Sequence, residues 1–403
     1  MAVAFLARQA LPVTFENLPM LKSFSFQTVK SLLVEAGATA RLGEIARHHG
    51  MRSVLLVSDA GVQRLGLLDT AITSLQAAGV TISVFTDVEA DPTSAMVEAA
   101  AAAACAVGAD GVIGIGGGSP MDVAKLAALL ARGEQTLEMI YGVGLASGQR
   151  LPLILIPTTA GTGSEVTPVA IVTTASGEKK GVVSPLLLPD CALLDARLTL
   201  GLPKSVTAAT GIDAMVHALE AYTSRRLKNP ISDCLALDAL RLLSTHIVQA
   251  CEQGQDVAAR EAMLLGACLA GMAFANAPVA AVHALAYPVG ALFHVPHGLS
   301  NSLLLPGVMA FNLPEAQALY AELAGVVVPD AEGDTAALAA ALLQKMTRLP
   351  VQLGLPTRLA DVGIQATDLP KLAEDAMKQT RLLINNPRAM TYDAALAIYQ
   401  GAL

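Results

Sequence analysis

The stretch GVIGIGGGSPMDVAK, residues 111–125, runs a short apolar segment into three glycines, a serine–proline pair and a helix-forming tail. Its first part, 111–115, has the length and composition of a buried strand. Ser119 is read as the N-cap of the following helix and Pro120 as its first residue. A cap side chain satisfies a free N–H there, and proline has no N–H to orphan. Glycines at 116–118 let the backbone approach a ligand, and the free N–H groups with the helix dipole favour an anion such as a pyrophosphate. A plain strand-to-helix turn would use some of these features, but three glycines and a cap exceed its needs. Ser119 takes the last glycine place of a standard G-x-G-x-x-G, so the pattern alone does not name a dinucleotide.

Outward from this segment the same rhythm repeats. Residues 53–57 (SVLLV) read as a strand, 62–78 as a helix ending at Gly79, 81–86 as a strand and 93–107 as an alanine-rich helix stopped by Gly108. A helix over 120–132 and a strand over 151–156 follow. Repeated β-α-β units of this length imply a parallel sheet with helices on its faces and ligands at the strand C-terminal ends. After Pro203 the strand signals stop, and helical stretches run over 205–224, 230–250, 258–274 and on to the C-terminus. Residues 184–203, carrying Pro185, Pro189 and Pro203, read as the connector. Two domains are expected: an α/β domain over 1–202 and an all-helical domain over 203–403.

Composition narrows the function classes. The 403 residues are 53% hydrophobic and 15% charged, enough apolar material for a large core and no sign of overall disorder. A net charge of -8, with no run of Lys or Arg beyond pairs such as Arg225-Arg226, argues against nucleic acid and for small ligands. Five widely spaced cysteines without a C-x-x-C indicate neither a disulfide framework nor a thiolate zinc site. Near the N-terminus Arg8 follows the apolar stretch rather than preceding it, so no secretory signal is expected and the cytoplasm is the expected compartment. Residues 262–314 contain no Asp, Glu, Lys or Arg. That run exceeds the roughly 20 residues of a membrane span. Asn276, Pro278, Pro288 and Pro296 interrupt it, however, and Ala and Gly dominate it. Buried helices around a low-dielectric site are expected, with no membrane partner.

Two further features belong to the cofactor end. Asp59, after the 53–57 strand, is placed to accept hydrogen bonds from ribose hydroxyls and to repel a 2′-phosphate, which favours NAD over NADP. A turn-forming Asp before Gly61 reads equally well. PTTAGTGSE, residues 157–165, offers hydroxyls and glycines after another strand and is a weak signal alone.

The candidate metal end rests on few residues. Only seven histidines occur in the chain. In TAATGIDAMVHALEAY, Asp213 and His217 are four apart and share a helix face. That pair alone reads more simply as a first-turn carboxylate and an ordinary histidine. His283 and His297 would lie about 21 Å apart on one straight helix, so a shared site demands a turn between them. Pro288, Gly290 and Pro296 supply places for it, and residues 296–298 read as a turn delivering a histidine. One Asp and three His suit a borderline dication such as Fe(II) or Zn(II), with a position left open for a substrate oxygen.

GGGSPMDVAK, PTTAGTGSE, GIDAMVHALEAY and VHALAYPVG with VPHGLSN, in this order and spacing, resemble the iron-containing (group III) alcohol dehydrogenases from about Phe24 to near the C-terminus. The resemblance implies an N-terminal α/β domain with a parallel, Rossmann-like sheet and an all-α C-terminal domain, the dehydroquinate synthase-like arrangement. Cofactor and metal lie in the cleft between the two. It places the metal ligands on Asp213, His217, His283 and His297, and cofactor contacts on Asp59, Gly117, Gly118, Ser119, Thr158, Thr159 and Lys180. It implies NAD-dependent oxidation of a small primary alcohol, or reduction of its aldehyde, with Fe(II) and with Zn(II) as the other candidate, by a homodimer. Many members carry a histidine four residues after the third ligand; Tyr287 stands there, a candidate hydroxyl donor or a residue packed over the nicotinamide. Tyrosine at that place also resembles the hydroxyacid-oxoacid transhydrogenase branch, so that activity, or a 4-hydroxybutyrate-type dehydrogenase, is the alternative. His294 is read as a cleft-wall or surface residue.

Overall fold

A computed structural model describes residues 23–403; the N-terminal segment with Arg8 lies outside them. Among the described residues the first half carries nine strands: β1 (Leu32–Val34), β2 (Ser53–Asp59), β3 (Thr81–Val88), β4 (Gly111–Gly116), β5 (Gly142–Val143), β6 (Leu153–Pro157), β7 (Val169–Thr173), β8 (Lys179–Val183) and β9 (Cys191–Leu194). Six form one sheet in the order β1-β9-β6-β4-β2-β3, every neighbouring pair parallel. Side chains of a strand point alternately to its two sides. Leu55 and Val57 therefore join one core layer with Val112, Leu153 and Leu155, while Val54 and Leu56 join the other with Ile113, Ile115 and Ile154. Both faces are covered, which is why β2, β4 and β6 read as unbroken apolar runs.

Helices α1 (Leu42–His48), α2 (Ala60–Arg64), α3 (Asp69–Ala77), α4 (Ser94–Ala106), α5 (Gly118–Leu130) and the short α6 (Leu137–Ile140) cover the sheet. Three details differ from the sequence reading. The helix expected over 62–78 is two, because Gly66 takes φ 69 and the chain turns between α2 and α3. The helix after the glycines begins at Gly118 with Gly117 in the cap position, so Ser119 lies in the first turn rather than capping it. The 184–203 connector contains β9, a fully buried member of the main sheet. A second sheet, β5-β8-β7, was not expected; its β7–β8 pair is antiparallel, with Gly177 at φ 79 in the turn.

The second half is helical: α7 (Lys204–Tyr222), α8 (Pro230–Glu252), α9 (Val257–Asn276), α10 (Ala281–Phe293), α11 (His297–Val327), α12 (Thr335–Leu353), α13 (Leu369–Met377), α14 (Thr380–Leu383) and α15 (Tyr392–Ala402). These helices share one continuous core that includes Ile212, Met215, Leu285 and Leu304. Two of them, α8 and α9, are long and apolar enough to cross a membrane; here they pack against each other. The charge-free run 262–314 becomes the end of α9, all of α10 and the start of α11. Pro288 and Gly290 stay inside α10, and the reversal occurs at His294, which takes a left-handed φ of 55 after the last turn.

Candidate metal and cofactor site

The glycine loop sits where the chain changes direction across the sheet. From β2 the chain goes out to β3, then returns to β4 on the other side of β2. Such a switch point opens a crevice beyond the strand C-termini. Asp59 ends β2 and Gly116 ends β4, so both lie at its mouth. Asp59 Oδ1 accepts from Val62 N at 2.9 Å and caps α2. A Cβ built on Gly116 would lie 3.5 Å from Asp59 Oδ2 and 2.7 Å from the Pro120 ring. Glycine is needed there for room as well as for backbone freedom.

The loop after β6 joins this crevice to the helical half. Thr158 N donates to Gly116 O at 2.9 Å. Thr159 stands beside Gly117, and Thr162 beside Gly118. A few residues on, a Cβ at Gly161 would strike Thr210 on α7 at 2.7 Å, and one at Gly163, whose φ is 60, would lie 2.5 Å from Gly271 Cα on α9. PTTAGTGSE, weak as a sequence signal, therefore touches both the phosphate-type loop and the helices that carry the candidate ligands. Lys180 stands on β8, exposed, near Glu178 and 5.7 Å above the Tyr141 ring; among the described residues no hydrogen bond or ion pair ties it to the glycine loop.

Asp213 and His217 project from one face of α7, His283 lies in the first turn of α10, and His297 opens α11. One ligand-type atom from each falls within 4.8 Å of all the others. Asp213, His217 and His283 are buried, whereas the His297 side chain is 43% exposed, so the cluster opens on that side. Gly298 permits this approach of α11 to α7: a Cβ there would lie 2.4 Å from Ala209 O and 3.3 Å from Asp213 Cβ.

Protonation states suit a cation. Burial pushes His217 down to about 3, leaving a neutral imidazole with a free lone pair. Burial opposes ionisation of Asp213, while the hydrogen bond donated by the Asn301 amide favours its charged form. Glu220, one turn beyond His217 on α7, was missed from sequence. Its carboxylate accepts from Ala280 N and Val282 N at the start of α10, and lies 2.7 Å from His283 Nδ1. With the Nδ1 hydrogen given to Glu220, His283 turns Nε2 and its lone pair toward the cluster, as metal-binding histidines require. The ring of Phe274 stacks on His217 at 4.3 Å. Tyr287 stands beside His283 and His297, ring centroids 6.4 and 5.8 Å away. Burial, with the Asp213 and Glu220 charges, pushes its phenol up to about 12. His294 is exposed, as expected.

A second polar cluster, also missed, lies behind the glycine loop. Lys125 of α5 is fully buried and donates to Ser164 Oγ (2.7 Å), Thr167 Oγ1 (3.2 Å) and Val169 O (2.7 Å). Asp122 takes Ser164 Oγ and Ile171 N. Together they fix the 157–165 loop against the glycine helix. Lys125 and Ser164 appear in quoted motifs, but partners about 40 residues away leave no local signal.

Comparisons with known proteins agree with this geometry. Residues 30–196 match the model described as iron-containing alcohol dehydrogenase, and residues 207–403 that of the Fe-containing alcohol dehydrogenase family, C-terminal. The chain is 35% identical over 382 residues to a sulfoacetaldehyde reductase of Bilophila wadsworthia, covering 94% of this chain and 98% of that one. Among solved structures, a 1,3-propanediol oxidoreductase superposes with a TM-score of 0.91 at 34% identity, covering 95% of this chain and 100% of that one. A sulfoacetaldehyde reductase from Bifidobacterium kashiwanohense in complex with NAD+ gives 0.86 at 28% identity, over 94% and 99%.

Proposed function

The chain belongs to the iron-containing alcohol dehydrogenase family, and from that premise we propose that it moves a hydride between a small primary alcohol, or its aldehyde, and NAD. In this reading Asp213, His217, His283 and His297 hold a divalent ion. The carrying observation is the convergence of four ligand atoms within 4.8 Å, joined through the 157–165 loop to a glycine turn at the sheet's switch point. A dication held there would supply Lewis acidity to an alcohol oxygen, and a nicotinamide held beside it would supply the hydride acceptor.

The chain's own residues do the rest. Asp213 brings the one negative charge of the ligand set, and Glu220 fixes the His283 tautomer. Phe274 walls the histidines on one side and excludes water, which strengthens every charge interaction inside. Tyr287 keeps its proton at neutral pH and donates it to the product oxygen in aldehyde reduction. Gly117, Gly118, Ser119, Thr158 and Thr159 receive the pyrophosphate, Asp59 the adenosine ribose, and Lys180 a further cofactor contact. NAD is preferred to NADP because Asp59 repels a 2′-phosphate. Iron is preferred to zinc on family grounds, since the ligand types admit both. The boundary between domains 1–202 and 203–403 falls at Pro203. The enzyme is proposed as a cytoplasmic homodimer without nucleic-acid or membrane partners; five free cysteines suit a reducing compartment.

Absorbance at the NADH band, over short alcohols, diols and hydroxyacids, tests this reading. NAD reduction with a primary alcohol, abolished by a chelator, is expected; none with any of them overturns it. Tyr287 favours one second reading, the hydroxyacid-oxoacid transhydrogenase or a hydroxyacid dehydrogenase. Turnover of 4-hydroxybutyrate with 2-oxoglutarate without added NAD would select the transhydrogenase.

A further inference from the structure

Asn301, one turn along α11 from His297, is fully buried. Its amide nitrogen lies 2.6 Å from Asp213 Oδ1 and 3.3 Å from Nε2 of both His283 and His297. Its Oδ1 is buried without a hydrogen-bond partner. Asp213 is a carboxylate, and with the Nδ1 hydrogen of His283 given to Glu220 its Nε2 bears a lone pair. The two amide hydrogens thus face two acceptors, with the ring of His297 beside them. The opposite amide orientation would set a carbonyl oxygen 2.6 Å from a carboxylate, so the chain keeps Oδ1 unpaired rather than accept that repulsion.

Resting on the metal reading above, we propose that Asn301 is a positioning residue of the metal site. Its amide covers the face formed by Asp213, His283 and His297, spaces their ligand atoms, and supplies the partial positive charge that a buried carboxylate needs before a cation arrives. The side next to exposed His297 is left for entry of ion and substrate. Asn301 lies 88 residues from Asp213 in sequence and ends the VPHGLSN motif, but the resemblance assigns it no role.

The test measures Zn(II) affinity of the metal-stripped protein by chelator competition, together with the visible spectrum of the Co(II)-loaded form. Asn301→Leu keeps the volume and removes both donors. Its dissociation constant for Zn(II) is expected to rise about 10- to 100-fold, as when partners of metal ligands are removed, and its Co(II) bands to change shape. Asn312→Leu is the control: Asn312 is a buried amide of the same helix, paired with Asn386 away from the site. It should leave Zn(II) affinity and the Co(II) spectrum unchanged. Should Asn301→Leu not fold, Asn301→Ser, whose hydroxyl is too short to reach Asp213, takes its place with the same expectation. Wild-type affinity and spectrum in the Asn301 variant overturn the proposal, as does equal loss in Asn312→Leu. If Asp213→Ala binds Zn(II) as tightly as the wild type, the metal reading itself fails.

Discussion

Tyr287 is the residue at which the chemistry is most open to test. Tyr287→Phe keeps the ring beside His283 and His297 and removes only the hydroxyl. It should lower kcat/KM for aldehyde reduction about 100-fold, the low end of what a general acid contributes, while metal content stays the same; an unchanged rate gives the proton to water. Asp59 is the residue on which the proposed preference for NAD rests. Asp59→Ser preserves a cap for Val62 N and removes the charge, so the ratio of NADP to NAD turnover should rise about tenfold or more. A ratio that does not move returns Asp59 to a turn-forming role. At this scale the convergence of Asp213, His217, His283 and His297 was legible because few histidines exist and two of them demand a turn. Glu220 and Asn301 were not, because their meaning lies in partners 63 and 88 residues away.

Among elements, the approach of α11 to α7 decides whether His297 reaches Asp213. Gly298→Ala places a methyl against Ala209 O, a contact too short for any real Cβ. Overpacking of this kind costs about 1–3 kcal/mol, and the shifted helix should also lower metal occupancy; a variant with wild-type melting temperature and metal content contradicts the packing described. The turn at 164–166 carries a pH dependence. Burial pushes Glu165 up to about 7 from 4.5, against the pull of Lys125. A carboxyl raised on folding binds more protons in the native state, so this group's stabilisation is full below about pH 4.5 and is lost as pH rises through about 7. Glu165→Gln should flatten the fall in melting temperature over that interval, and an identical slope in the variant refutes it. Element reading failed where local pattern and tertiary role diverged. The apolar periodicity of 62–78 concealed the break at Gly66, and β9 is a four-residue buried strand with no period of its own, set among prolines.

The whole molecule divides its work along the chain. The parallel sheet, with its direction change between β2 and β4, supplies a crevice at the strand C-termini; the helical half supplies the cluster of Asp213, His217, His283 and His297; the 157–165 loop connects them. Class and order of the elements were legible because β-α repetition and its abrupt end after Pro203 are long-range patterns that survive local error. The small β5-β8-β7 sheet was not, because its strands, such as VAIVT and KKGVV, carry no alternation of polar and apolar residues. The most direct measurement is the metal content of anaerobically purified wild-type protein and of Asp213→Ala, with NAD-dependent alcohol oxidation assayed on the same samples. Expected are one dication per chain and activity in the wild type, and neither in the variant. Full activity in metal-free wild-type protein, or unchanged activity in Asp213→Ala, would contradict the proposed site.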